Sequence, residues 1–159
     1  MNKHSLKIDL QNDLDLPRIP DPAQMTHWVR ASLQQDYEQL EQTIRIVDQV
    51  ESRQLNKAFR HLDKPTNVLS FTADDSDYLD YVHLGDLVIC AAVVEAEAKQ
   101  QNKEPLAHWA HMVVHGMLHL QGYDHQTEQE AEEMEALEID ILALLGHTNP
   151  YSINEEIHG

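Results

Sequence analysis

Residues 115–125 read HGMLHLQGYDH, and the rest of the chain is arranged around this stretch. His115 and His119 are four residues apart, so on a helix their imidazoles lie one above the other, at the spacing that two ligands of one cation need. Gly122 then predicts the end of the helix, because glycine readily adopts the left-handed backbone that turns a chain out of its last turn. That turn allows His125 to fold back as a third ligand. The stretch therefore predicts a three-histidine metal site.

Three histidines with an open fourth position are typical of a catalytic metal centre, since structural zinc sites are usually closed by four ligands, mostly cysteines. This chain has a single cysteine, Cys90, which lies among apolar residues and is predicted to be buried. His111 extends the histidine row, but it lies ~12 Å along the axis from His119, too far for metal bonds of ~2 Å to span. We therefore expect His111 behind the ligands or in the pocket wall. The alternative is that a chain with 11 histidines in 159 residues aligns some of them by chance.

The spacing of the three histidines matches the zinc motif of metzincin proteases, H-E-x-x-H-x-x-G-x-x-H, at all but one position. Gly116 stands where those enzymes carry the glutamate that acts as general base. The metal ligands are retained and the base is absent, which argues against ordinary peptide hydrolysis.

The charge of the chain restricts its partners. The net charge is −17, and residues 128–140 contain seven acidic residues and no lysine or arginine. Most of the surface should therefore repel acidic membranes and nucleic acids, so we expect no membrane contact and no DNA binding, and any RNA contact must use a local basic patch. No apolar run is long enough to span a bilayer, and a lone cysteine suits a reducing cytoplasm.

Hydrophobic periodicity predicts four strands, at residues 5–10, 43–47, 67–71 and 84–89. Helical periodicity and capping residues predict five helices, at residues 22–35, 50–64, 91–100, 105–121 and 127–146. A chain of this length with these elements is expected to form an α+β single domain, residues 1–159, with one mixed four-stranded sheet. The helix from Pro105 is apolar nearly all round and should be the central, buried helix that carries the metal site. An acidic loop is predicted at 73–81 and a short mobile tail at 147–159.

Two of the other helices have a predicted buried stripe. In the helix that starts at the capping box Thr127-x-x-Glu130, the stripe consists of Met134, Leu137, Ile141, Leu144 and Leu145, with the seven acids on the solvated face. In the helix at 50–64, the stripe consists of Leu55, Phe59 and Leu62.

A basic row lies on another face of the helix at 50–64. Its members, spaced by three or four residues, are Arg53, Lys57, Arg60 and Lys64. Such a row is often a solvated face that pairs with nearby acids. In so acidic a chain, however, it suits a phosphate backbone, which arginine binds with two parallel hydrogen bonds.

Three stretches together resemble the YbeY family of bacterial endoribonucleases: LNKAFRHLDKPTNVLSF at 55–71, LGDL at 84–87 and the motif at 115–125. The resemblance implies a zinc-dependent, single-strand-specific endoribonuclease that matures ribosomal RNA, notably the 3′ end of the small-subunit RNA, and serves ribosome quality control. It also implies that His115, His119 and His125 bind one zinc ion and that Arg60 faces the cleft. Asn67 departs from the family, in which many members have Asp, so we assign position 67 no catalytic role.

The predicted site suits phosphodiester chemistry. Three neutral imidazoles leave the metal its full positive charge, which favours an anionic substrate, and Arg60 would stabilise charge developing on the phosphorus oxygens. The general base is unassigned between a metal-activated water, the 2′-hydroxyl of the substrate and His111. Asp124 either orients an imidazole or caps its own turn. Two other classes remain open: a metal hydrolase of a peptide or small molecule, and a ribosome-assembly factor whose zinc is only structural.

Overall fold

The computed structural model describes residues 5–14, 16, 18–73 and 82–151. Its four strands are β1 (Ser5–Gln11), β2 (Gln39–Val47), β3 (Val68–Thr72) and β4 (Val82–Cys90). They form one sheet in the order β1-β2-β4-β3, in which β1, β2 and β4 are parallel and β3 is antiparallel to β4. The five helices are α1 (Pro22–Ser32), α2 (Gln49–Arg60), α3 (Ala91–Gln100), α4 (Pro105–Leu120) and α5 (Glu128–Leu144). The predicted α+β fold with a mixed four-stranded sheet is confirmed.

Helix α4 is the buried centre of the domain, as predicted. It packs against α1, α3, α5, β3 and β4, and its core residues include Trp109, Val113 and Met117. Gly116 allows the close approach of α4 to the sheet, because a Cβ at this position would lie 2.7 Å from Cδ2 of Leu87. The glycine that replaces the metzincin glutamate thus has a packing role.

Helix α2 covers the opposite face of the sheet, and its predicted buried stripe is wrong at Phe59 and Leu62, whereas Leu55 is partly buried against the core. Phe59 is 63% exposed and Leu62 is 44% exposed, whereas Ser52 and Asn56 are buried. The physical reason is a set of polar contacts with the segment that follows the helix. Ser52 Oγ donates to the carbonyl oxygen of Thr66 (3.0 Å), and Asn56 Nδ2 donates to the carbonyl oxygen of residue 64 (2.9 Å). These bonds draw the polar side of α2 inward and turn Phe59 outward.

Helix α5 begins at the predicted capping box, and its predicted buried stripe is confirmed except at Leu144. The structure buries Met134, Glu138, Ile141 and Leu142, and it leaves Leu144 82% exposed. The helix therefore buries most of the predicted stripe, because Leu137 and Leu145 also pack, partly buried, against the core. Its inner face includes one of the seven acids expected in solvent, Glu138.

Within the described residues, no helix is long and apolar enough to cross a membrane. Cys90 is buried and forms no disulfide, as predicted. The acidic loop predicted at 73–81 lies outside the described residues except for Ala73. Of the predicted tail, residues 147–151 are described and 152–159 are not.

Candidate metal centre

The three histidines predicted to bind metal lie together. His115 and His119 project from the last turns of α4, and the chain then turns at Gly122, whose φ is +103°, to bring His125 beside them. One ring nitrogen from each histidine lies within 4.8 Å of those of the other two. The ring centroid of His119 is 4.7 Å from that of His115 and 5.1 Å from that of His125.

The turn that carries His125 is fixed by backbone and side-chain hydrogen bonds. The amide of Gly122 donates to the carbonyl oxygen of His119 (3.0 Å), and the amide of Tyr123 donates to that of Leu118 (3.0 Å). Asp124 Oδ1 accepts from the amide of His125 (2.7 Å). Of the two roles considered for Asp124, this contact is the one that caps its own turn.

Glu138 is the site residue that the sequence analysis missed. It is fully buried, and its Oε2 lies 2.6 Å from Nδ1 of His115. Hydrogen bonds from His111 and His115 outweigh the effect of burial and lower the pKa of Glu138 from 4.5 to about 2, so it is a carboxylate at neutral pH. A carboxylate only accepts hydrogen bonds, so His115 carries its proton on Nδ1 and has Nε2 available for a metal.

The second oxygen of Glu138 is held by two further groups. Nε2 of His111 lies 2.9 Å from Oε1, and the hydroxyl of Tyr151 also donates to this oxygen. Burial lowers the pKa of His111, and burial together with Glu138 raises the pKa of Tyr151, so both are neutral at pH 7. His111 therefore stands behind the ligands, as expected, and residues 147–151 return to contact α5.

The three histidines fit a metal ion. Burial, with repulsion from His115 and His125, lowers the pKa of His119, which favours the neutral imidazole that binds metals. A tetrahedral ion with bonds of ~2.0–2.1 Å holds its ligand atoms ~3.4 Å apart, so small side-chain rotations bring the nitrogens into range. Three imidazoles suit zinc and other borderline divalent cations, and the donor set alone does not separate these metals.

The histidines open into a cleft of about 770 Å³. Its walls are Phe59 and Arg60 at the end of α2, Asn67 and the residues of β3, His115 and His119 of α4, and residues 122–125 of the following turn. This cleft leaves room for a bound molecule beside the three histidines.

Only one member of the predicted basic row reaches this cleft. All four side chains are exposed, but Arg60 alone lines the cleft. Arg53 forms a bidentate pair with Asp63, with distances of 2.6 and 3.2 Å, and shares a separate depression with Lys57. Among the described residues, no carboxylate forms an ion pair with Arg60.

Asn67 lines the cleft but is tied to a polar cluster behind it. Its Nδ2 donates to both oxygens of Glu97 (3.0 and 3.2 Å), and its Oδ1 accepts from the amide of Val68 (2.6 Å). His108 Nε2 lies 2.9 Å from the same glutamate. The observed contacts of Asn67 thus position β3 against α3.

The family model and the similar proteins found by comparison point to the same family. Residues 10–146 match the family described as Endoribonuclease YbeY. A protein named Endoribonuclease YbeY from Pseudomonas entomophila strain L48 is 54% identical over 151 residues, which cover 94% of this chain and 96% of the relative. The protein of the same name from Pseudomonas putida KT2440 is 52% identical over the same shares of both chains.

Among solved structures, the solution structure of TM1509 from Thermotoga maritima is similar to this chain, with a TM-score of 0.49 and 22% identity. The alignment covers 88% of this chain and 91% of that one.

Proposed function

The chain belongs to the Endoribonuclease YbeY family, and on this basis we propose that it is a zinc-dependent endoribonuclease that cleaves single-stranded RNA. The observation that carries the proposal is the convergence of three histidines and Arg60 on a single open cleft. The site residues proposed are His115, His119 and His125 as ligands of one zinc ion and Arg60 as a contact to the phosphate.

Each of these residues has a distinct task. His115, oriented by Glu138, would present Nε2 to the metal, and His119 and His125 would complete the set. When bound, zinc supplies Lewis acidity that polarises a phosphoryl oxygen and lowers the pKa of a water molecule. The Arg60 guanidinium, on the adjacent wall, donates hydrogen bonds to the phosphate oxygens and stabilises the negative charge that develops on them.

The position of His111 removes it from the candidates for the general base. This residue is 7% exposed, donates to Glu138 and does not line the cleft, so it cannot reach a substrate hydroxyl. The two remaining candidates are a metal-activated water and the 2′-hydroxyl of the RNA.

We further propose that the substrate is ribosomal RNA, at the 3′ end of the small-subunit RNA, and that the enzyme acts in the cytoplasm in ribosome maturation and quality control. This assignment rests on the activity that membership of the YbeY family implies. The net charge of −17 weakens the attraction of the free protein for RNA, so assembled small subunits should be better substrates than naked RNA.

The proposal is tested by cleavage of a single-stranded fragment of small-subunit RNA that contains the 3′ processing region, compared with the same fragment in a duplex. The variants are Arg60→Ala and, as a matched control, Lys57→Ala, which removes one cation of the same row outside the cleft. We expect Arg60→Ala to lower cleavage by about 10²–10³-fold with unchanged zinc content and Lys57→Ala to stay near wild type.

Two results would contradict the proposal. Equal losses in both variants would mean that Arg60 acts only through general charge. A zinc-loaded wild type that leaves free RNA and small subunits intact would favour an assembly factor with a structural metal.

A further inference from the structure

The wall between the cleft and the neighbouring surface is made of two aromatic rings. Phe59 at the end of α2 and Phe71 on β3 meet edge to face, with ring centroids 5.0 Å apart and an interplanar angle of 74°. Both rings line the metal cleft, and both also line a second cavity of about 220 Å³ on the α2 side of the sheet. The aromatic pair therefore joins the metal site to this second cavity.

Phe59 is exposed where a phenylalanine is usually buried. Single exposed apolar side chains are common on protein surfaces and by themselves need no explanation. Phe59 differs from Val50, an exposed apolar residue of the same helix, because Phe59 lines the cleft and precedes Arg60, whereas Val50 lines a separate depression. Phe71 supports the Phe59 ring from one side, so the ring offers a pre-positioned aromatic surface next to the phosphate-binding arginine.

We propose that Phe59 and Phe71 form a subsite for one unpaired nucleobase adjacent to the scissile phosphate. A strand whose phosphate lies at Arg60 and the three histidines brings the neighbouring base to the Phe59 ring, and the cavity beyond receives that base. The inference rests on the proposed function, since it places the base relative to a phosphate at the metal site.

The chemistry of the second cavity fits a base. Its floor is apolar, formed by Leu55 and Val88 with the two phenylalanines, and its polar groups are Arg45 and Asp86. Arg45 pairs with Glu51, and Asp86 Oδ1 lies 3.2 Å from Nε2 of His83, so these groups would meet the edge of a base with their remaining N–H donors and acceptor oxygen. At about 220 Å³ the cavity is smaller than a pocket for a drug-sized ligand, ~300–1,000 Å³, and suits a single ring system.

The subsite explains selection of single strands in physical terms. A base can stack on Phe59 only after it leaves its own stack and its pairing partner, which a duplex resists. Stacking on a π-face is tolerant of base identity, so this contact favours single strands without fixing a sequence.

The test uses fluorescence of the zinc-loaded protein. Both native tryptophans, Trp28 and Trp109, are buried, so Phe59→Trp introduces a reporter that keeps the aromatic face. Rapid mixing with a single-stranded RNA oligonucleotide should quench this reporter before cleavage, and the same RNA in a duplex should quench it weakly. Phe59→Ala and Phe59→Leu should raise Kd for the single strand by roughly 5- to 150-fold, the range that corresponds to loss of one stacked base. Val50→Ala should bind like wild type.

The subsite is refuted if Phe59→Ala binds the single strand within twofold of wild type, or if RNA leaves the Phe59→Trp fluorescence unchanged. Cleavage of the same oligonucleotide distinguishes this failure from failure of the enzyme assignment. If Phe59→Ala binds the single strand normally and still cleaves it, the subsite is refuted and the enzyme assignment is retained. Quenching without cleavage by the zinc-loaded protein supports the subsite and contradicts the nuclease.

Discussion

Replacement of Glu138 by glutamine should weaken zinc binding without touching a zinc ligand. The carboxylate accepts from Nδ1 of His115 on one oxygen and from His111 and Tyr151 on the other. A glutamine of the same shape has one acceptor oxygen, so its amide group must face at least one of these donors. His115 then loses the partner that fixes its tautomer and orientation.

The expected losses in zinc affinity and in stability follow from these contacts. Loss of such a partner to a metal-ligating histidine lowers metal affinity by about 10–100-fold, or ~1.4–2.7 kcal/mol. The buried donors left unpaired should also lower the free energy of unfolding of the metal-free protein by about 1–3 kcal/mol. Glu138→Gln acts through His115, so Glu138 is a positioning residue.

The assay is competition for zinc with a chromophoric chelator, together with urea unfolding of the metal-free protein. Glu132→Gln, an exposed acid on the same helix, is the control for the loss of one negative charge. Cleavage by Glu138→Gln should recover as zinc is raised, since the ligands themselves are intact. A zinc Kd within twofold of wild type for Glu138→Gln would refute the role assigned to this carboxylate.

Three further outcomes are expected. Gly85→Ala should lower the free energy of unfolding by about 2–6 kcal/mol, because φ is +146° and a Cβ would lie 2.1 Å from the carbonyl oxygen of Phe71. Urea titration measures this loss, and a loss below ~1 kcal/mol would contradict the prediction. Burial tends to raise the pKa of Glu97, but hydrogen bonds, the strongest from His108, lower it below 4.5. The stability difference between wild type and Glu97→Gln should therefore be full at pH 7 and shrink as the pH falls below 4.5, and a difference that is constant down to pH 3 would contradict this. Zinc at about 100 times Kd should raise Tm by roughly 5–10 °C, and His119→Ala should show no such rise.

The clustering of the three histidines and the sheet could be predicted because their signals are local. His115 and His119 are placed by helical periodicity, and Gly122 supplies the turn that returns His125. The sheet follows from runs of β-branched and apolar residues whose alternation depends on near neighbours. These features need no knowledge of which elements pack together.

The inner face of α5 could not be predicted from periodicity alone. The apolar pattern includes Leu144 and omits Leu142 and Glu138, whereas the structure exposes Leu144 and buries the other two. Glu138 is satisfied in the interior by its hydrogen bonds with His111 and His115 on α4. A signal was present, since Glu138 lies four residues after Met134 and three before Ile141, inside the stripe.

The same limitation explains the error on α2. The pattern of Leu55, Phe59 and Leu62 indicates burial, but the helix is oriented by hydrogen bonds from Ser52 and Asn56 to a segment more than seven residues away. Hydrogen bonds of this kind cannot be read from the hydrophobic periodicity of the sequence. The result is an aromatic ring in the cleft wall, beside Arg60.

The most direct test of the account measures zinc content and RNA cleavage in the same preparations of wild type and His119→Ala. His119 is chosen because it is a ligand outside the Glu138 contacts, so its loss should leave the fold intact, as checked by circular dichroism. We expect about one zinc per wild-type chain with cleavage of single-stranded ribosomal RNA or small subunits, and neither zinc nor cleavage for the folded variant. Cleavage by zinc-free His119→Ala, or no cleavage of either substrate by zinc-loaded wild type, would contradict it.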